Sequence, residues 1–194
     1  MEIKRDFYLD KLVSLMWNGQ VKVITGIRRC GKSYLLKTLF RRHLLDNGVL
    51  PEDILTIELD DINAAKYRNP LELSAYVDSW MSGASGRRYL FIDEIQMSDK
   101  VPNPHSPDGE KITFYDALNG FLHMENLDVY VTGSNSKMLS SDIKTEFRGR
   151  GDEIRVHPLS FAEYLSAVVY FFQLIYNHLI HFLKYYNHFL IYHF

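Results

Sequence analysis

The chain has 194 residues, 46% of them hydrophobic, which is enough to bury one ordinary core and is about the size of a single domain. Its 22 Lys and Arg against 24 Asp and Glu give a formal net charge of −2, so no bulk excess of positive charge exists to hold a polyanion, and composition does not point to nucleic acid. The lone cysteine, Cys30, excludes an intramolecular disulfide, and the amino terminus MEIKRDFYLDKL lacks the apolar run of a secretion signal, which together suit a reducing cytoplasm.

Phe7 to Trp17 reads as a first helix. From Val21 to about Val156, short β-rich runs then alternate with longer stretches of helical pattern, the signature of an α/β protein whose parallel sheet is covered by helices. The expected strands are Val21 to Thr25, Ile54 to Leu59, Tyr89 to Asp93, Asp128 to Thr132 and Glu153 to His157, each apolar enough to lie inside a sheet. The expected helices are Lys32 to Leu45, with Leu35, Leu36, Leu39 and Leu44 at helical spacing, then Leu71 to Met81, Phe114 to Met124 and Lys137 to Phe147. SGASG (Ser82 to Gly86) reads as a flexible connection. VPNPHSPDGEK (Val101 to Lys111) reads as a long polar loop, either a surface insertion or a lid or partner-binding loop beside the acidic strand end.

VITGIRRCGKS sets a β-run directly before GxxxxGKS and a helix directly after it, the context of a phosphate-binding loop. Gly26 and Gly31 permit backbone conformations closed to other residues. Successive N–H groups of Gly26, Ile27, Arg28, Arg29, Cys30, Gly31, Lys32, Ser33 and Tyr34 can then surround phosphate oxygens at a helix amino terminus. Lys32 is placed to reach the β- and γ-phosphates, and Ser33 offers a hydroxyl to Mg²⁺. Arg28 and Arg29 suit contacts to neighbouring acids better than contacts to phosphate, and Cys30 suits a small filler. The cofactors expected are ATP and Mg²⁺.

YLFIDEIQ is an apolar run that ends in Asp93 and Glu94, so the strand is buried up to its carboxyl end, where ligands bind in open α/β sheets. Two carboxylates there need a cation or a reaction to offset their burial. Asp93 is expected to hold the magnesium with Ser33, and Glu94 to polarise the attacking water. DVYVTGSNS is a second buried strand with a polar end, Thr132, Ser134 and Asn135. In P-loop proteins of the additional-strand class it lies between the phosphate-loop strand and the acidic strand, so Asn135 or Ser134 becomes the sensing contact beside the γ-phosphate. FRGRGDE carries Arg148 and Arg150, either of which can neutralise charge on the transferred group, in cis or from a neighbouring subunit, or be a solvated structural residue. The working catalytic set is Lys32, Glu94, Asn135 and Arg150.

Taken together, GIRRCGKS, FIDEIQ, YVTGSNSKMLSS, FRGRGDE and HPLSFAEYL resemble the prokaryotic AAA-superfamily ATPases that usually carry a carboxyl-terminal domain of nuclease-like fold. The resemblance covers about Met1 to Ala167. It implies a P-loop NTPase fold of AAA type with a five-stranded, mainly parallel sheet, ATP binding and hydrolysis, and Lys32, Ser33, Asp93 and Glu94 in the roles above. It also implies a helical or winged-helix region and a further domain after HPLSFAEYL, through which family members would make partner or nucleic-acid contacts; a homo-oligomer or a protein partner stays open.

The segment Tyr170 to Phe194, YFFQLIYNHLIHFLKYYNHFLIYHF, differs in kind from what precedes it. Its residue types are those of AT-rich codons, which favours translation past a frameshift or truncation, so residues 1–168 are expected to be the ATPase core with its amino-terminal helix and 169–194 an atypical tail. A membrane helix is the weaker reading, since four His, two Asn, a Gln and a Lys are costly in a bilayer core. An amphipathic segment packing on a partner or a membrane surface stays open. Three functions follow as expectations: an ATPase that drives a conformational change, an ATP-switched binding module with little turnover, and a truncated product without output.

Overall fold

In this computed structural model the residues described are 3–106, 109–134, 151–172 and 176. Five parallel strands form one sheet: β1 Val21–Thr25, β2 Ile54–Glu58, β3 Arg88–Asp93, β6 Leu127–Gly133 and β7 Gly151–Arg155, in the order β2-β3-β6-β1-β7. β6 therefore sits between the phosphate-loop strand and the acidic strand, pairing Ile24 with Thr132 on one side and Ile92 with Val131 on the other. This is the additional-strand arrangement expected from sequence.

Because side chains alternate along a strand, the buried sheet feeds two cores. On one face Val23, Ile57, Leu90, Ile92, Val129 and Val131 meet Leu73 and Val77 of α3 (Pro70–Met81) and Phe114, Leu118 and Phe121 of α4 (Phe114–Phe121). On the other face Ile24, Phe91, Tyr130 and Ile154 meet Leu12 of α1 (Asp6–Ser14) and Leu35, Leu36, Leu39, Phe40 and Leu44 of α2 (residues 32–46). Phe40 anchors that face, with ring centroids 4.8 Å from Tyr130 and 5.8 Å from Phe91, distances at which aromatic pairs add to simple burial. The middle of α2, Leu35–Phe40, is π-helical.

α4 stops at Phe121 rather than Met124, and the structure departs from the sequence expectation in three further places. α1 stops at Ser14 rather than Trp17, because Trp17 turns left-handed (φ 58°) to donate its backbone N–H to Asp128 Oδ2 (3.1 Å) and its indole N–H to the Tyr89 hydroxyl (3.1 Å). β7 starts and ends two residues early: β1 ends at Thr25, and once the Val156 N–H has reached the Thr25 carbonyl (2.7 Å) no further backbone is left to pair with. The long polar loop contains a two-stranded antiparallel ladder, β4 Val101–Pro102 with β5 Lys111–Ile112. This ladder shares with α3 and α4 a cavity of about 300 Å³ lined by Leu71, Ser74, Asn103, Glu110 and Asp116 among others. The helix expected over Lys137 to Phe147 lies outside the described residues.

The chain divides into two compact units, Asp6–Pro158, which contains the sheet, and a second made of Met1–Arg5 with Leu159–Phe194. Within the second unit residues 161–172 are helical, Glu163 caps their start by accepting from the Ser160 N–H (2.6 Å), and Arg5 pairs with Glu163 at 3.0 Å. Burial opposes ionisation of Glu163, but its hydrogen bonds from Ser160 and the Arg5 guanidinium outweigh it and lower the carboxyl's pKa. No helix among the described residues is long and apolar enough to cross a membrane.

Candidate nucleotide site

Three adjacent parallel strands deliver their carboxyl ends to one place: β1 runs into the loop of residues 26–31, β3 ends in Asp93, and β6 ends in Thr132 and Gly133. That edge is where open α/β sheets bind ligands. The loop depends on Gly26. An added Cβ there would lie 2.3 Å from the Val156 carbonyl oxygen and 2.7 Å from Cys30 Sγ, so a side chain collides with the backbone that closes β7 against β1. Gly31 (φ 95°) and Arg29 (φ 66°) are left-handed, and the Leu35 N–H bonds back to the Gly31 carbonyl at 2.9 Å as α2 begins. Cys30 is buried in the α2 core, as its small size suggested.

Ile27, Arg28 and Arg29 stand exposed on the outer turn, and neither arginine has an ion-pair partner among the described residues. Lys32 is buried, with Nζ 3.1 Å from each of the Gly26 and Ile27 carbonyl oxygens, so its ammonium lies folded over the loop that carries it. Tyr34 follows Ser33 in the first turn of α2 and is partly buried.

The loop and the acidic strand meet directly. Ser33 Oγ donates to Asp93 Oδ1 across 3.0 Å, and Thr132 Oγ1 also bonds Oδ1. Asp93 is almost fully buried, and its other oxygen, Oδ2, faces Lys37 Nζ at 2.9 Å. Lys37 also reaches Glu58 Oε2 at 2.6 Å. Burial pulls the Lys37 pKa down, but the hydrogen bonds and charges of Glu58 and Asp93 outweigh it and leave it raised.

Glu94 adopts a left-handed conformation (φ 59°), which ends the strand and turns its side chain out to a partly exposed position. Its N–H donates to Thr132 Oγ1 (3.1 Å), and its Oε2 accepts from Ser134 Oγ (2.8 Å) and from the Gln96 amide. Gln96 and Ser134 are joined in turn, Nε2 to Oγ at 2.8 Å.

The structure joins Ser33, Asp93, Glu94, Thr132 and Ser134 by hydrogen bonds, with Lys32 folded over the loop at Gly26. Asn135, Arg148 and Arg150 lie outside the described residues. Sequence reasoning passed over Lys37, Glu58 and Gln96. The signals were there: Lys37 stands four residues after Ser33, hence on the same helix face, and Glu58 is the register partner of Asp93 on the neighbouring strand.

The chain is similar to known proteins in sequence and in fold. An uncharacterized protein of Haemophilus influenzae is 32% identical over 165 residues, covering 85% of this chain and 38% of that protein. An uncharacterized protein of Methanocaldococcus jannaschii is 29% identical over 152 residues, covering 76% of this chain and 29% of that protein. The chain therefore matches only about a third of the length of these curated relatives. Among solved structures, PCH-2 of C. elegans superposes with a TM-score of 0.52 at 14% identity, over 87% of this chain and 44% of that one, a likeness of fold. The AAA domain family profile matches residues 18–165, the stretch that contains the phosphate loop, the acidic strand end and the polar end of β6, and it supports nucleotide binding there. With that match spanning most of its length, the chain belongs to the AAA domain family.

Proposed function

We propose that this chain binds ATP with Mg²⁺ and hydrolyses it, turnover driving a conformational change. The observation that carries this reading is the direct contact of phosphate loop and acidic strand, Ser33 Oγ on Asp93 Oδ1 at 3.0 Å, with Glu94 next in the chain and partly exposed. A hydroxyl and a carboxylate are the hard oxygen donors that Mg²⁺ takes, so the pair fits that ion. Held there, the ion would neutralise charge as it spreads over the transferred phosphoryl group.

The remaining chemistry belongs to the chain. Lys32 exchanges two neutral carbonyl acceptors for charged phosphate oxygens, which form the stronger, charge-assisted bonds. The loop amides around Gly31 hold the phosphates at the start of α2. Glu94 takes the proton of the attacking water, while Asn135 or Ser134 senses the γ-phosphate and Arg150 supplies positive charge.

Steady-state phosphate release tests this. We expect turnover in the parent chain and its loss in Glu94→Gln, which still binds a fluorescent ATP analogue, because the amide keeps the shape but accepts no proton. A Gln variant that hydrolyses ATP at the parental rate removes Glu94 as the base.

A second reading, an ATP-switched binding module with little turnover, draws on one observation: Ser134 and Gln96 already occupy the Glu94 carboxylate. A conformational output acts on a partner, here a second copy or another protein. We further propose that residues 1–168 suffice for the nucleotide chemistry.

A further inference from the structure

The proposal here rests on the nucleotide reading above and concerns a residue that reading does not use. We propose that Lys37 is the resident counter-cation of the metal half of the site, so that a divalent metal enters with its nucleotide rather than ahead of it.

β2 and β3 run in parallel with Glu58 opposite Asp93, so the sheet places two carboxylates side by side at its carboxyl edge. Asp93 has a side chain only 4% exposed, and a buried carboxylate of that kind needs compensation. Its Oδ1 takes neutral donors, Ser33 and Thr132, and its Oδ2 takes the Lys37 ammonium. Lys37 comes from the same helix as Ser33, one turn on, and its Nζ bridges Asp93 and Glu58 at 2.9 and 2.6 Å. Two carboxylates and one ammonium leave a formal charge of −1 there; without the ammonium it is −2, the charge that suits a bare divalent ion. The ammonium therefore does two things. It holds the Asp93 carboxylate in place, with Oδ1 on Ser33, before any ligand arrives, and it repels a free metal ion that brings no phosphate charge of its own.

A lysine serving only as a structural tie predicts something different. Removing it would loosen the fold and leave affinity for free metal unchanged or lower.

The test uses the full chain without nucleotide and Mn²⁺ as the probe, free Mn²⁺ being read by electron paramagnetic resonance. The parent is expected to bind Mn²⁺ weakly. Lys37→Met and Lys37→Gln are expected to bind it about ten- to a hundredfold more tightly, the scale of one unit charge removed near a partly buried site. Lys37→Arg keeps the charge and should behave as the parent, and adding Asp93→Asn to Lys37→Met should abolish the gain. Thermal unfolding of each variant shows that it is folded, and the Gln variant, which still donates to a carboxylate, serves if the Met variant is not. The proposal is overturned if neither neutral variant gains Mn²⁺ affinity, or if the Arg variant gains as much as they do. A separate measurement, binding of the fluorescent ATP analogue to the parent, reports on the nucleotide reading. Its failure there beside a Mn²⁺ gain in the Lys37 variants would remove the nucleotide and keep the counter-cation.

Discussion

Ser33 Oγ lies 3.0 Å from Asp93 Oδ1, although sixty residues separate them in the chain. The contact ties the helix that starts at the phosphate loop to the strand end that carries the acids, and it exists because β6 spaces β1 from β3 by one strand. The loop and the strand end that carries Asp93 and Glu94 therefore lie side by side at one edge of the sheet.

The point charge of the loop is the first target. Lys32→Ala should remove most affinity for a fluorescent ATP analogue measured with Mg²⁺, because Nζ is the one loop cation folded over the Gly26 and Ile27 carbonyls where phosphate is expected. Near-parental affinity in the variant would sink the phosphate-loop assignment.

Gly26→Ala tests the loop's geometry rather than its charge. The new methyl must displace the Val156 carbonyl, which is backbone and cannot swing aside, so we expect a loss of about 1–3 kcal/mol, the usual cost of overpacking. In a chain of this size each kcal/mol lowers the melting temperature by about 2–4 °C. Thermal unfolding of the variant checks this, and an unchanged midpoint would mean that the loop and β7 separate easily.

The opposite end of the sheet carries a buried ion pair. Lys22 on β1 pairs with Asp128 on β6, whose other oxygen accepts from the Tyr130 hydroxyl (2.8 Å) and the Trp17 N–H. Burial first, and then the Asp128 charge, push the Tyr130 phenol's pKa up, so it stays a donor to the carboxylate at any ordinary pH. Lys22→Met should cost about 3–5 kcal/mol by leaving the Asp128 carboxylate buried without its cation. Lys22→Met combined with Asp128→Asn should recover part of that loss in urea unfolding, and a double variant no better than the single one would show that the cost is packing and not charge.

Deleting residues 170–194 should leave nucleotide binding intact and improve solubility. Ten of those 25 residues are Phe or Tyr and seven more are Leu or Ile, an apolar content that promotes association when left in water. Thermal unfolding and light scattering of the two forms decide it: a shortened chain that melts lower and scatters more would show that the segment supports the fold.

The sequence alone determined the five strands of the main sheet, to within a residue or two, and the positions of the phosphate loop and acidic pair. These are local signals: apolar runs of strand length, glycines where the backbone must turn back on itself, and charged residues where an apolar run stops. It left undecided which of Ser134 and Asn135 senses the γ-phosphate, and it gave Lys37 and Glu58 no role. Lys37 is one more charged residue in an amphipathic helix, and Glu58 one more acid at the end of a strand. Only the tertiary structure decided their partnership, because it depends on the in-register pairing of Glu58 with Asp93 and on the rotation of α2 over that edge. The same holds for the end of α1, which a hydrogen bond from Trp17 to a carboxylate more than a hundred residues away fixes. Strand pairing and helix packing join residues far apart in the chain, and the free energy of such contacts leaves no periodic trace in the sequence on either side of them.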